Sequence, residues 1–209
     1  MPLYKTIQVN ENITVLIWKI EESLDELSRD IILTPSSQER VDGMKSDLHQ
    51  KGFMSIRQLL ALKGYEDKDL IYDEYGKPHL ADNKSISITH SYTFSAIIIS
   101  DNKTVGIDIE KQRDKILTIA HKFTPIKEYK TIANHNALVG KLTIVWGAKE
   151  SLYKIFGKKK LRFLQHIYIE DFMFDDAKTT GEIRYDGNIE SYNISFLEFE
   201  GFTCVYALN

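Results

Sequence analysis

The 209-residue sequence predicts two similar α/β halves of about a hundred residues each, every half carrying strands and helices. Three observations lead there. An apolar fraction of 43% is enough to bury one sizeable core or two small ones. The order of strand, helices and further strands runs to its end near Ser100 and begins again after the polar break Asp101-Asn102-Lys103. No low-complexity tract or short-period repeat interrupts either half.

In the first half, residues 13–20 (ITVLIWKI) are β-branched and apolar and read as a buried strand. Residues 21–33 place Leu24, Leu27, Ile31 and Ile32 at helical spacing, with Pro35 closing that helix. A second helix begins near Ser46, runs through Phe53, Ile56, Leu59 and Leu60, and stops at Gly64. Strands follow at 70–73, 86–90 and 94–100, joined by the turns Tyr75-Gly76-Lys77-Pro78 and Ala81-Asp82-Asn83. The second half opens with a strand at 104–110. Thr124-Pro125 then signals a helix start, a capping hydroxyl before a proline in the first turn. A longer helix covers 138–156 and stops at Gly157, and strands are expected at 167–169, 182–185, 192–199 and 202–208.

Lysine and arginine number 27 against 30 acidic residues, a net charge of -3, so nothing draws the whole molecule toward nucleic acid or anionic lipid. Any basic site is local. The one cysteine, Cys204, cannot form an intrachain disulfide and reads as a small core residue in a reducing compartment. The first twenty residues lack a basic start followed by a long apolar run, so neither a signal peptide nor a membrane span is expected, and the reading is a soluble, cytoplasmic protein.

Four short segments carry chemistry. In Val105-Gly106-Ile107-Asp108-Ile109-Glu110, strand alternation sends Gly106, Asp108 and Glu110 to one face, where two carboxylates can share a cation and the glycine leaves room for a ligand. A hard divalent ion such as magnesium suits that pair, although the same pattern also reads as the polar side of a half-exposed strand. On a helix, Trp146, Glu150 and Lys154 share a stripe, offering a third carboxylate and a phosphate-binding ammonium; a plain surface pair at this spacing is the other reading. Thr89-His90-Ser91 ends a strand with a histidine between two hydroxyls, a grouping suited to phosphate. Tyr75-Gly76-Lys77-Pro78 taken alone is a turn.

In order, YGKP, ITHS, VGIDIE, a Phe123 to Glu128 segment and WGAKESLYK resemble the 4'-phosphopantetheinyl transferase superfamily, specifically its two-lobed class that modifies carrier proteins. The resemblance spans residues 75–154. It implies an α+β (α/β two-lobed) fold, a pseudo-twofold pair of similar lobes, 1–102 on the coenzyme A adenine and phosphate side and 103–209 with the metal and catalytic residues, each a small, mainly antiparallel sheet packed with helices. It implies that Asp108, Glu110 and Glu150 bind Mg2+, that Glu150, Lys154 and Asp108 are catalytic, and that Lys154 lies against the diphosphate of coenzyme A. Lys77 and Pro78 would border the adenine, and Thr89, His90 and Ser91 the coenzyme A phosphates. Arg40 and Lys45 would take the place of the arginine- and lysine-rich helix start that holds the 3'-phosphate in relatives. The implied partners are coenzyme A and an acyl or peptidyl carrier protein, with no nucleic acid and no membrane, and the implied state is a monomer. Lys158-Lys159-Lys160-Leu161-Arg162 would help position an acidic carrier or the diphosphate, or is a solvated loop. Two other readings remain: a catalytically impaired relative that binds coenzyme A or a carrier, and a magnesium-dependent nuclease, against which the charge balance argues.

Overall fold

The structure, a computed structural model, describes residues 3–125, 134–158 and 160–209. It divides into two compact units, Met1–Lys103 and Thr104–Asn209, and is mixed α+β with antiparallel sheets.

The first unit is a four-stranded antiparallel sheet in the order β1-β2-β6-β5, from β1 (Leu3–Asn10), β2 (Ile13–Lys19), β5 (Ser85–Ser91) and β6 (Phe94–Ser100). The central strands β2 and β6 are the continuous apolar runs, and β6 is buried along its whole length. Helix α3 (Asp47–Ala61) lies on β2 and β6 and buries Phe53, Ile56, Leu59 and Leu60 against Leu16, Trp18 and Ile97. A separate hairpin pairs β3 (Leu70–Tyr72) with β4 (Pro78–Leu80).

The expected helix over 21–33 and its closure at Pro35 are not what forms. A capping box between Ser23 and Glu26 starts a short α1 (Leu24–Ser28), Ile32 is left 90% exposed, and Pro35 instead opens α2 (Pro35–Asp42) behind an N-cap at Thr34. In the first turn a proline loses no hydrogen bond, because that N–H has no intrahelical partner anyway. The start of α2 is pinned by Asp67, whose carboxylate accepts the Thr34 N–H and hydroxyl at 2.8 Å, the Ser37 hydroxyl at 3.0 Å and Arg57 Nε at 2.9 Å. Strand β1 was not expected: it is an edge strand, largely exposed, with no clean apolar alternation.

The second unit is a five-stranded antiparallel sheet in the order β7-β11-β10-β9-β8: β7 (Val105–Lys111), β8 (Ile167–Ile169), β9 (Lys178–Tyr185), β10 (Asn188–Phe199) and β11 (Phe202–Leu208). Strands β9 and β10 both extend beyond expectation because Asp186 and Gly187, at φ 54 and 78, make a two-residue hairpin between Tyr185 and Asn188. The short α4 (Lys115–Ile119) and α6 (Phe163–His166) flank the 22-residue α5 (His135–Phe156), which ends at a left-handed Gly157. The helix expected from Thr124-Pro125, and Glu128 with it, fall on residues 126–133, outside the described residues.

One order of elements recurs. In each unit the strand preceding the helices pairs antiparallel with the last strand, β2 with β6 and β7 with β11, and the long helix covers that pair.

Candidate active site

Strand β7 is buried on both faces from Val105 to Ile109, because α5 lies over the row of Gly106, Asp108 and Glu110. The space beside Gly106 is therefore taken by protein and does not admit a ligand: a Cβ there would stand 2.1 Å from the Ser151 carbonyl oxygen. Gly147 on the helix faces β11 in the same way, its Cβ position 2.9 Å from Val205 Cγ2 and 3.8 Å from Asp108 Oδ2. These two glycines let α5 descend onto the β7–β11 pair, so that its Trp146, Glu150 and Lys154 stripe meets the acidic row of β7. The Ser151 hydroxyl secures the seam by donating to the Val205 carbonyl at 3.1 Å.

The structure thus brings together the four residues expected to do chemistry. Lys154 Nζ donates to Asp108 Oδ1 at 2.8 Å and to the Ile107 carbonyl at 2.7 Å, and Asp108 is 5% exposed. Burial pushes the Glu150 carboxyl up to about 7, and the charge of Asp108 adds to the rise; Lys154 opposes it and Glu110 reinforces it. Glu110 is raised in the same direction by burial and by Asp108, against a hydrogen bond from the Trp146 indole and the charges of Arg113 and Lys154. Among the described residues no three acidic or histidine side chains close into an ion cage as they stand. The donor set still fits a hard divalent cation. Three carboxylates that repel one another in a partly buried cleft gain from a cation, and magnesium takes only a few such oxygens, leaving its other positions to water and phosphate.

Glu150 opens onto a pocket of about 690 Å³ walled by Phe123, Trp146, Tyr153, Phe163 and Leu164. Trp146, with Ile119, also lines a smaller recess that includes Glu110, Arg113 and Lys115. The basic run after α5 divides. Arg162 borders the Glu150 pocket, Leu161 is core, and Lys158 and Lys160 line a different recess with Asp186 and Glu190; Lys159 lies outside the described residues. Sequence reasoning missed Lys149, a buried lysine on α5. Its signal was available, since Leu142, Val145, Lys149 and Leu152 follow one apolar stripe.

In the first unit, Asp73 builds the YGKP turn by accepting the Tyr75 and Lys77 N–H groups at 2.9 Å, and Pro78 begins β4, a strand position where its missing donor is tolerated. Lys77 is half-buried, and that burial holds its ammonium below the usual lysine range against the pull of Asp73. The Thr89-His90-Ser91 grouping does not form one donor cluster. The pleat of β5 turns Thr89 and Ser91 to the face opposite His90, which stands against α3. The His90 ring meets the His49 ring edge-on at 5.9 Å, and a Cβ on Gly52 would stand 2.5 Å from His90 Cδ2. Arg40 on α2 stacks over Phe53 and Tyr72 at 5.7 and 5.2 Å, and Lys45 is exposed before α3.

Residues 104–207 match the profile of the 4'-phosphopantetheinyl transferase superfamily. The chain is 30% identical over 159 residues to the 4'-phosphopantetheinyl transferase gsp of Aneurinibacillus migulanus, a match covering 73% of this chain and 65% of that protein. It is 31% identical over 123 residues to the 4'-phosphopantetheinyl transferase Sfp of Bacillus subtilis (strain 168), covering 54% of each. In both cases the chain spans less than two thirds of the relative's length.

Proposed function

Since the chain belongs to the 4'-phosphopantetheinyl transferase superfamily through residues 104–207, we propose that it transfers the 4'-phosphopantetheine group of coenzyme A to a serine of an acyl or peptidyl carrier protein. The released product is 3',5'-adenosine bisphosphate. The observation that carries this reading is the meeting of Asp108, Glu110, Glu150 and Lys154 across the β7–α5 seam, buried enough for each charge to act on the others.

Asp108, Glu110 and Glu150 are the residues that would hold magnesium, which supplies positive charge to the diphosphate when bound. The Glu150 carboxylate stands at the mouth of the pocket and accepts the proton of the carrier serine. The serine oxygen then bonds to the β-phosphorus as the bond from that phosphorus to the bridging oxygen breaks. Lys154, oriented by Asp108 Oδ1 and the Ile107 carbonyl, puts its ammonium against the departing bisphosphate and offers it a proton. Trp146 fixes Glu110 through its indole N–H. On the coenzyme A side, Lys77 and Pro78 are proposed for the adenine, His90 for a phosphate, and Arg40 with Lys45 for the 3'-phosphate. A cytoplasmic monomer is proposed as the working form; among the described residues no helix is long and apolar enough to cross a membrane.

Mass spectrometry tests the proposal. An apo carrier incubated with this protein, coenzyme A and magnesium should gain the mass of one phosphopantetheine group, and Glu150→Ala should abolish the gain. A carrier left unmodified by the wild-type protein would sink the transferase reading.

A further inference from the structure

Lys149 sits between Trp146 and Glu150 on neither of the faces that carry the proposed chemistry, and it is 1% exposed. A buried ammonium is costly unless hydrogen-bonded. Here Nζ donates to three main-chain carbonyls from two separate stretches of the second unit: Phe123 at 2.5 Å in one, and Phe163 at 3.0 Å and Ile167 at 2.6 Å in the other. Phe123 ends the turn that follows α4, while Phe163 and Ile167 begin and cap α6. The first and second of these residues are the two aromatic rings that flank Trp146, at centroid distances of 5.1 and 5.2 Å, and Phe163 also meets Tyr153 at 5.7 Å. All four rings wall the pocket onto which Glu150 opens.

We infer that Lys149 is a positioning residue that, by gripping the main chain on both sides of the Glu150 pocket, sets the spacing of Phe123 and Phe163 about Trp146 and so the shape of the pocket. A lysine suits this task better than an apolar residue. Its three N–H groups draw three carbonyls toward one point, and its methylene stem fills the core beneath them. An apolar residue of the same length would fill the space and leave the walls untied. For catalysis the inference rests on the proposed transfer; for pocket geometry it stands without it.

The test uses Lys149→Met in a Trp18→Phe background, where Trp146 is the remaining tryptophan. Acrylamide quenching of Trp146 should rise by about twofold or more as its flanking rings loosen. The KM for the carrier protein, whose serine the proposal brings to this pocket, should rise by about fivefold or more, while the Kd for 3',5'-adenosine bisphosphate stays at the wild-type value. A residue that merely stabilised the fold would reduce the yield of folded protein and move neither ratio. Unchanged quenching in folded Lys149→Met overturns the inference.

A second measurement needs no variant. In the wild-type protein, hydrogen exchange at the amides of Phe123, Thr124 and Ile167 should be as slow as in the middle of α5, because one ammonium binds these stretches to it. Exchange about a hundredfold faster than in α5 also overturns the inference. If the wild-type protein modifies no carrier, the transfer proposal fails, and quenching and exchange still decide the role of Lys149.

Discussion

Asp108 acts through charge on two sides of the seam, holding Lys154 at 2.8 Å while raising the proton affinity of Glu110 and Glu150. Asp108→Asn keeps the shape and removes the charge, so carrier modification should slow by about a hundredfold or more with an unchanged circular dichroism spectrum. In the first unit, where coenzyme A is proposed to bind, Gly52 is the residue that lets α3 approach His90. Gly52→Leu should displace that ring and raise the KM for coenzyme A several-fold with little change in kcat, as steady-state kinetics would show. That Asp108 and Glu110 share a strand face, and Glu150 and Lys154 a helix stripe, was legible from periods of 2 and 3.6, whereas their convergence was implied by the family resemblance alone. What covers that strand face was not legible, since a strand's own alternation does not say which side another element will occupy. The same periodicity, applied to Thr89, His90 and Ser91, would have separated them; adjacency along a strand was mistaken for adjacency in space.

The seam between α5 and β7 depends on one residue having no side chain. Gly106→Ala would put a methyl group against the Ser151 carbonyl, where backbone must yield, whereas Gly147→Ala would press on the Val205 side chain, which can turn. The first should cost about 3 kcal/mol or more and the second less, as read from urea unfolding midpoints. At the start of α2, Asp67 is pinned in another way. Burial opposes its ionisation, but the hydrogen bonds from Thr34, Ser37 and Arg57 prevail and hold its carboxyl below the usual aspartate range. A depressed carboxyl contributes stability above its unfolded value and loses it as pH falls through the folded value, so the first unit should weaken below about pH 4. Asp67→Asn should flatten that pH dependence, and Asp67→Ala should cost about 3–5 kcal/mol by leaving Arg57 buried and unpaired. Most helices and central strands were legible as long periodic runs. The exceptions have local causes: Thr34-Pro35 is the same cap-and-proline signal as Thr124-Pro125, yet it was read as a stop, and β1 and β4 are exposed or too short to show alternation.

Each unit closes its own core, Trp18 lying in the first and Trp146 packing against the second. The two tryptophans are thus separate reporters, and the two units should answer to different solutes. Magnesium should raise the unfolding free energy reported by Trp146 in a Trp18→Phe background by about 2.7 kcal/mol at a hundred times its Kd, and Asp108→Asn should cancel the rise. Acid should lower the midpoint seen by Trp18 in a Trp146→Phe background through Asp67. The recurring order of strand, helices and strands was legible from the chain, while the reuse of one pairing, β2 with β6 and β7 with β11, emerged only from the register. The division of labour around Trp146 bears on redesign. The proposed reacting groups are rooted in β7 and α5, both largely buried, whereas the pocket wall at 161–165 belongs to the segment around the short α6. Grafting a foreign connector there, with the Phe163 and Ile167 carbonyls kept in place for Lys149, offers a way to retarget the proposed acceptor while sparing the groups proposed to react.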